Sequence, residues 1–181
     1  FPPHIQARAV SFDNPTGDII NSDLEQTSIL SQADIITLRY DAREKTIATL
    51  NDNTPAVSHN RKGATTSATA APCICCLTSL HRRHYRYCHE VSHIAGEHNT
   101  MADDLSRMWH LSDSQILTYF NSHYPQTKPW NLSHLPPRTL STLISALECN
   151  STVNGSFLRP KPGEATLGTT FGFPSARATT K

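Results

Sequence analysis

Apolar and polar positions along the chain fall into short periodic stretches separated by turn residues. Beyond Asn21, apolar residues recur at Ile29, Ala33, Ile36 and Tyr40, offsets of 4, 7 and 11 from the first, which is one face of a long helix. Ser22-Asp23-Leu24-Glu25 fits a capping box at its start. Residues 45–53 carry Thr46, Ile47, Thr49 and Leu50 and predict a strand that ends in Asn51-Asp52-Asn53. A second helix is expected where Pro72 suits a first turn and apolar positions continue through Cys76, Leu77 and Leu80. A second strand covers 88–95, where Val91, His93 and Ala95 alternate with Ser92, Ile94 and Gly96. After a tight turn at Gly96, Asn99 is placed to cap a helix with the stripe Met101, Leu105 and Met108.

The flanks are less regular. Ala9-Val10-Ser11-Phe12 is a candidate edge strand, followed by an Asn14-Pro15-Thr16-Gly17 turn. Ser112-Asp-Ser-Gln115 is a second capping box and predicts a helix to about Ser122. Pro136-Pro137 precedes a further helix through Leu140, Leu143, Ile144 and Leu147. Residues 150–181 are rich in Gly, Pro, Ser and Thr and read as a disordered linker. The expected class is therefore α/β, with a domain over 1–110, a helical extension over 111–149 and a tail over 150–181.

Composition narrows the function classes. The 181 residues suffice for one domain with a real core, but only 37% are hydrophobic, which implies a modest core with polar excursions. A formal net charge of +1 supplies no global field toward nucleic acid, so any such binding must come from a local patch. No apolar run approaches about 18 residues, so no membrane span is expected. The five cysteines, Cys73, Cys75, Cys76, Cys88 and Cys149, form an odd, clustered set without a signal peptide, which implies reduced thiols and an intracellular setting. Cys73 and Cys76 share a helical face with Cys75 off it; without a second pair at zinc spacing they read as small core residues.

Four features carry candidate chemistry. Glu25 heads a buried stripe, where a carboxylate is costly unless it is satisfied, either as a reciprocal cap or at a site. Asp52 lies at the carboxyl end of a strand, where open α/β sheets bind ligands; a plain turn is the alternative. Asp103 and Asp104 stand in the first turn of a helix, where acids also simply complement the dipole. His81-Arg82-Arg83-His84-Tyr85-Arg86-Tyr87 is the one basic and aromatic cluster, either a solvated helix end or a phosphate-contacting patch with Arg82, Arg83 and Arg86 as anchors.

The stretch Gly96-x-x-Asn99-x-x-Ala102-Asp103-x-Leu105-Ser106-Arg107 resembles the last motif of the RNase H domain attached to retroelement reverse transcriptases (LTR- or DIRS-like), matching at seven positions. Periodicity does not separate Asp103 from Asp104; by motif position the catalytic acid falls on Asp103. The resemblance also implies a catalytic Glu on the first long helix, where Glu25 stands, and an Asp in an Asp-Asn pair ending a strand, matched by Asp52-Asn53. It covers roughly residues 11–109, and residues 110–148 more softly resemble the segment that follows RNase H in some retroelement polyproteins. An RNase H-like fold is implied, a mixed sheet flanked by helices. So is two-metal hydrolysis of the RNA strand of an RNA–DNA hybrid, with Glu25, Asp52 and Asp103 holding two Mg²⁺ or Mn²⁺ ions. The partner in the parent polyprotein would be an upstream reverse transcriptase domain. The family's first catalytic Asp, on its first strand, has no match before Glu25. Asp13 and Asp18 sit in turns, and the chain opens on Phe1-Pro-Pro. The expectation is an N-terminally truncated segment, inactive alone. The alternative is a non-catalytic connection-type module that binds hybrid or spaces domains.

Overall fold

The helix expected from Asn21 forms as α2, Asn21–Arg39, and three later helices and the first strand pack against it. The structure is a computed structural model and describes residues 2–65, 69–108, 110–149 and 155–160. Before α2 comes one short turn of helix, α1, Pro3–Gln6. After it follow β1, Thr46–Asn51; α3, Thr54–Lys62; α4, Ala71–Tyr85; and β2, Cys88–His93. A 3₁₀ turn at Gly96–His98 leads into α5, Thr100–Arg107, and then α6, Asp113–His123, and α7, Pro137–Leu147. The architecture is mixed α/β, with seven α-helices and two strands among the described residues.

β1 and β2 pair in parallel, with Thr46 opposite Cys88 and Asn51 opposite His93. A parallel pair needs a crossover, and α3 and α4 supply it. Period-two alternation turns Ile47, Thr49 and Asn51 of β1, and His89 and Val91 of β2, toward the helices. The mixed sheet implied by the resemblance is a two-stranded parallel sheet among the described residues.

Burial concentrates where α2, α4 and α7 meet. Leu30, Ile74, Leu77, Leu143 and Leu147 form one cluster, closed at its margin by Ile5 and Ile19. Residues 111–149 therefore share the core of the first hundred residues through α7. A smaller cluster of Ala33, Ile47, Tyr85 and Tyr87 joins α2 to the sheet.

Several expectations are corrected. Residues 9–12 form no strand: Ala9 makes a single parallel bridge to Ile19, and Phe12 is fully exposed. The turn before Ile19 does require glycine, because a Cβ on Gly17 would lie 2.5 Å from the carbonyl oxygen of Arg8. Cys75 is the buried thiol of its cluster, whereas Cys73 is half-buried and Cys76 exposed. α5 buries none of its residues, and Leu105 of its apolar stripe is exposed. Part of the predicted linker is built into the body: Phe157 is buried in the main cluster and Arg159 is bound to Asp34. The remainder of that tail, 150–154 and 161–181, lies outside the described residues.

Candidate functional site

The carboxyl end of β1 gathers the first two sequence-predicted acids. Inward alternation along β1 ends on Asn51, a buried side chain whose amide donates to Glu25 Oε2 at 2.8 Å. The same side chain accepts from the backbone N–H of Asn53 at 2.8 Å, and the Asn51 backbone carbonyl accepts from Ile94 N at 3.1 Å. Asn53 then caps α3 by accepting from Ala56 N at 2.9 Å. Asp52, between these two fixed asparagines, points to solvent. No hydrogen bond or ion pair from a described residue holds its carboxylate. Across the sheet end, Asp52 Oδ2 faces the Gly96 turn, 3.7 Å from where a Cβ on Gly96 would stand.

Glu25 is free for this role because another acid caps its helix. The expected Ser22–Glu25 capping box does not form; Asp23 Oδ2 instead accepts from Ile20 N at 3.3 Å. Asp23 is fully buried, which pushes its carboxyl up, while Thr69 donates to its other oxygen at 2.9 Å. Glu25 sits two positions along, half-buried, with Asn51 on one oxygen.

The helix after the Gly96 turn separates its two acids. Asp103 is exposed and bidentately paired with Arg107, at 3.0 and 3.1 Å. Asp104 faces α6, where the hydroxyls of Tyr124 and Tyr119 donate to its Oδ2 at 2.6 and 2.8 Å and hold its carboxyl below the usual range. Asn99 stands at the cap position, but its side chain makes no cap bond. The structure thus hydrogen-bonds Glu25 to Asn51, the residue before the exposed Asp52, and leaves Asp103 on the helix after the Gly96 turn with its carboxylate turned to Arg107. Among the described residues, no three His, Cys, Asp or Glu side chains form a group that could hold a metal ion.

The basic cluster lies at the other end of the strands. Arg82, Arg83 and Arg86 line a shallow depression with Lys45, Thr46 and Cys88, where β1 and β2 begin. Arg82 is half-buried, Arg83 exposed, and Arg86 is ion-paired with Glu44. Five strand rises separate Thr46 from Asn51, so the cluster and the acids stand about 17 Å apart.

Sequence reasoning missed the most elaborate polar arrangement. Asp34, in the middle of α2, is 1% exposed and is bound by His81, Thr139 and Arg159. Its only sequence signal was a carboxylate one position after the buried Ala33. Arg61, also overlooked, donates from α3 to the carbonyl of Val91 at 2.8 Å and covers the outer edge of β2.

Compared with known proteins, the chain matches no family model, no curated protein and no solved structure. No helix among the described residues is long and apolar enough to cross a membrane.

Proposed function

We infer that the chain is an RNase H-like segment of a retroelement reverse transcriptase, acting on RNA–DNA hybrids. One observation supports this reading: at the carboxyl end of a parallel sheet, Glu25 of α2 is hydrogen-bonded to the buried Asn51, the residue immediately before Asp52. Ligands of such sheets sit outside that end. The chain order of helix α4, strand β2, Gly96 turn and acidic α5 agrees with the resemblance. The split between Asp103 and Asp104 agrees as well, since α6 claims Asp104 and leaves Asp103 on the open face.

The donor set suits hard divalent cations. Glu25 has one oxygen bound by Asn51, Asp52 is unheld among the described residues, and Asp103 is held only by an exposed arginine. The three acids do not group closely enough to hold an ion as they stand; brought together on hybrid, Glu25, Asp52 and Asp103 would be the residues to hold Mg²⁺ or Mn²⁺, which would supply an activated water and stabilise the leaving oxygen in phosphodiester hydrolysis. Arg82, Arg83 and Arg86 would contact the hybrid backbone about 17 Å away, roughly five 3.4 Å steps along one strand. No residue before Glu25 matches the family's first-strand Asp, so the residues of this chain would bind hybrid better than they cut it. An adjoining reverse transcriptase domain would be its partner in the parent polyprotein.

The second reading, a non-catalytic connection-type module, is favoured by the Asp103–Arg107 pair, which neutralises the third acid. A labelled RNA–DNA hybrid, incubated with Mg²⁺ or with chelator, separates the two. The test uses this chain and a version extended upstream to include a first-strand Asp. Mg²⁺-dependent cleavage by the extended chain, abolished by Asp52→Asn, supports the hydrolase. Binding without cleavage in the extended chain leaves the module reading.

A further inference from the structure

Residues 155–160 form no helix or strand, yet the body reads them as it would read a bound peptide. The backbone N–H of Arg159 donates to the Tyr85 hydroxyl at 3.1 Å, and its carbonyl accepts from His84 Nε2 at 2.7 Å. Its guanidinium reaches both carboxylate oxygens of Asp34, at 2.9 and 3.1 Å, and also donates to the Asp34 carbonyl and the Thr37 hydroxyl. It lies 5.6 Å over the Tyr85 ring. Two residues earlier, Phe157 is buried and stacks on His81 with ring centroids 6.1 Å apart.

The groove that receives this segment is walled by helices from earlier in the chain. Its walls are α2, α4 and α7, which pack on one another through Leu30, Ile74, Leu77 and Leu143. Its floor is the buried pair Asp34 and His81. One tautomer satisfies His81: Nε2–H donates to Asp34 Oδ1 at 3.1 Å, and Nδ1 accepts from the Tyr87 hydroxyl at 2.9 Å. Burial lowers the pKa of that imidazole, against the pull of Asp34, and so favours the neutral ring. The floor therefore holds one carboxylate charge that neither His81 nor Thr139 balances, and a buried charge without a counter-ion is strongly disfavoured. The groove requires a cation with a planar fork of donors, and an aromatic ring two residues before it.

We propose that the groove between α2, α4 and α7 is a binding site for aromatic-x-Arg peptide segments. Its resident ligand is Phe157-Leu158-Arg159, held by recognition rather than by its covalent connection to α7. Such a site takes the same segment in trans and discriminates against lysine, whose ammonium cannot reproduce the forked geometry.

The test uses the full chain with Phe157→Ala and Arg159→Ala together, which empties the groove. The probe is a labelled peptide of residues 155–160, Gly-Ser-Phe-Leu-Arg-Pro. The double variant should bind it at least about tenfold more tightly than the wild type, whose groove is filled, and binding should raise the variant's Tm. A peptide with Lys in place of Arg should bind about tenfold more weakly. Absence of binding to the folded double variant, or equal binding by the wild type, overturns the proposal. If the double variant does not fold, a protease site placed within 150–154 of the otherwise native chain gives the second measurement. After cutting, the C-terminal fragment should co-elute with the body, and Arg159→Lys should release it faster. Immediate loss of the native fragment on cutting overturns the proposal.

Discussion

Nη1 of Arg159 lies 2.9 Å from Oδ1 and 3.1 Å from Oδ2 of Asp34, 125 positions earlier in the chain. The carboxylate is buried, and the guanidinium is about a quarter exposed, with a side-chain exposure of 26%. Removing one partner leaves the other's charge without its match. Arg159→Ala should therefore lower the unfolding free energy by about 3 kcal/mol, the lower end for a broken buried pair because water reaches the arginine side. Arg159→Lys should lose less. Urea denaturation followed by circular dichroism measures both, and a loss below about 0.5 kcal/mol for the alanine variant would show that the pair contributes nothing net.

His89 provides a pH dependence of defined sign. It is buried, and burial lowers its pKa to about 4, with Arg82 and His81 adding to the effect. The hydrogen bonds explain why it resists a second proton. Thr49 donates its single hydroxyl hydrogen to Gln32 Oε1, so His89 Nε2–H donates to Thr49 Oγ1, and Nδ1 has no partner. A proton on Nδ1 would be buried without an acceptor. In the unfolded chain the imidazole titrates near 6.5, so unfolded chains bind a proton that folded chains refuse between about 6.5 and 4. The stability this contributes is present above the unfolded pKa and is lost as pH falls through that window, by about 3 kcal/mol in total. His89→Gln should flatten that part of the stability–pH curve by close to one proton. An unchanged slope would place the acid sensitivity elsewhere.

The parts of the fold that were legible in the sequence are those set by local chemistry. The helix from Asn21 and the Ser112–Gln115 capping box follow from short-range periodicity and caps. So do the two strands and the α4 start near Pro72, whereas periodicity did not separate Asp103 from Asp104, because it is the Tyr119 and Tyr124 hydroxyls of the following segment that engage Asp104. The site was partly legible: Asp52 was marked by its place at a strand end, and Glu25 by its place on a buried stripe. Asn51, which binds Glu25 and precedes Asp52, was visible only through alternation along β1. Asp34 was not legible, because its partners His81, Thr139 and Arg159 come from three distant segments and only the fold assembles them. Phe157 and Arg159 were hidden by the Gly- and Ser-rich composition around them, which predicts a linker wherever no periodic core pattern competes.

The basic cluster should be graded rather than uniform. Arg86 is already engaged by Glu44, whereas Arg82 and Arg83 carry no ion pair among the described residues. Replacing all three by Ala should weaken RNA–DNA hybrid binding and reduce its dependence on log salt by roughly one unit for each phosphate no longer neutralised. Arg86→Ala alone should change the slope less than Arg83→Ala. Fluorescence anisotropy across a salt series measures this, and unchanged slopes for the triple variant would return the cluster to a solvated helix end.

Asn51 is a neutral residue hydrogen-bonded to Glu25 and adjacent in the chain to Asp52, both candidate metal-binding acids. Asn51→Asp keeps an acceptor for the Asn53 N–H but replaces the donor to Glu25 with a second carboxylate at the present 2.8 Å separation. Two carboxylates so close cannot both ionise freely, and one pKa should rise. The folded variant then holds a proton that the unfolded chain releases above its ordinary carboxyl range near 4. Its stability should therefore fall as pH rises from about 5 to 7.5, a trend the wild type lacks at this position. Mg²⁺ should reverse that loss at pH 7.5 if Glu25, residue 51 and Asp52 face one cation-accessible spot, since the ion replaces the shared proton. Tm measured at pH 5 and 7.5, with Mg²⁺ and with chelator, reads all three effects, and Asn51→Leu controls for the missing hydrogen bond without added charge. A pH-dependent loss that Mg²⁺ leaves untouched would mean that the acids adjoin one another without forming a place for a divalent ion. The hydrolase reading would then give way to the binding module.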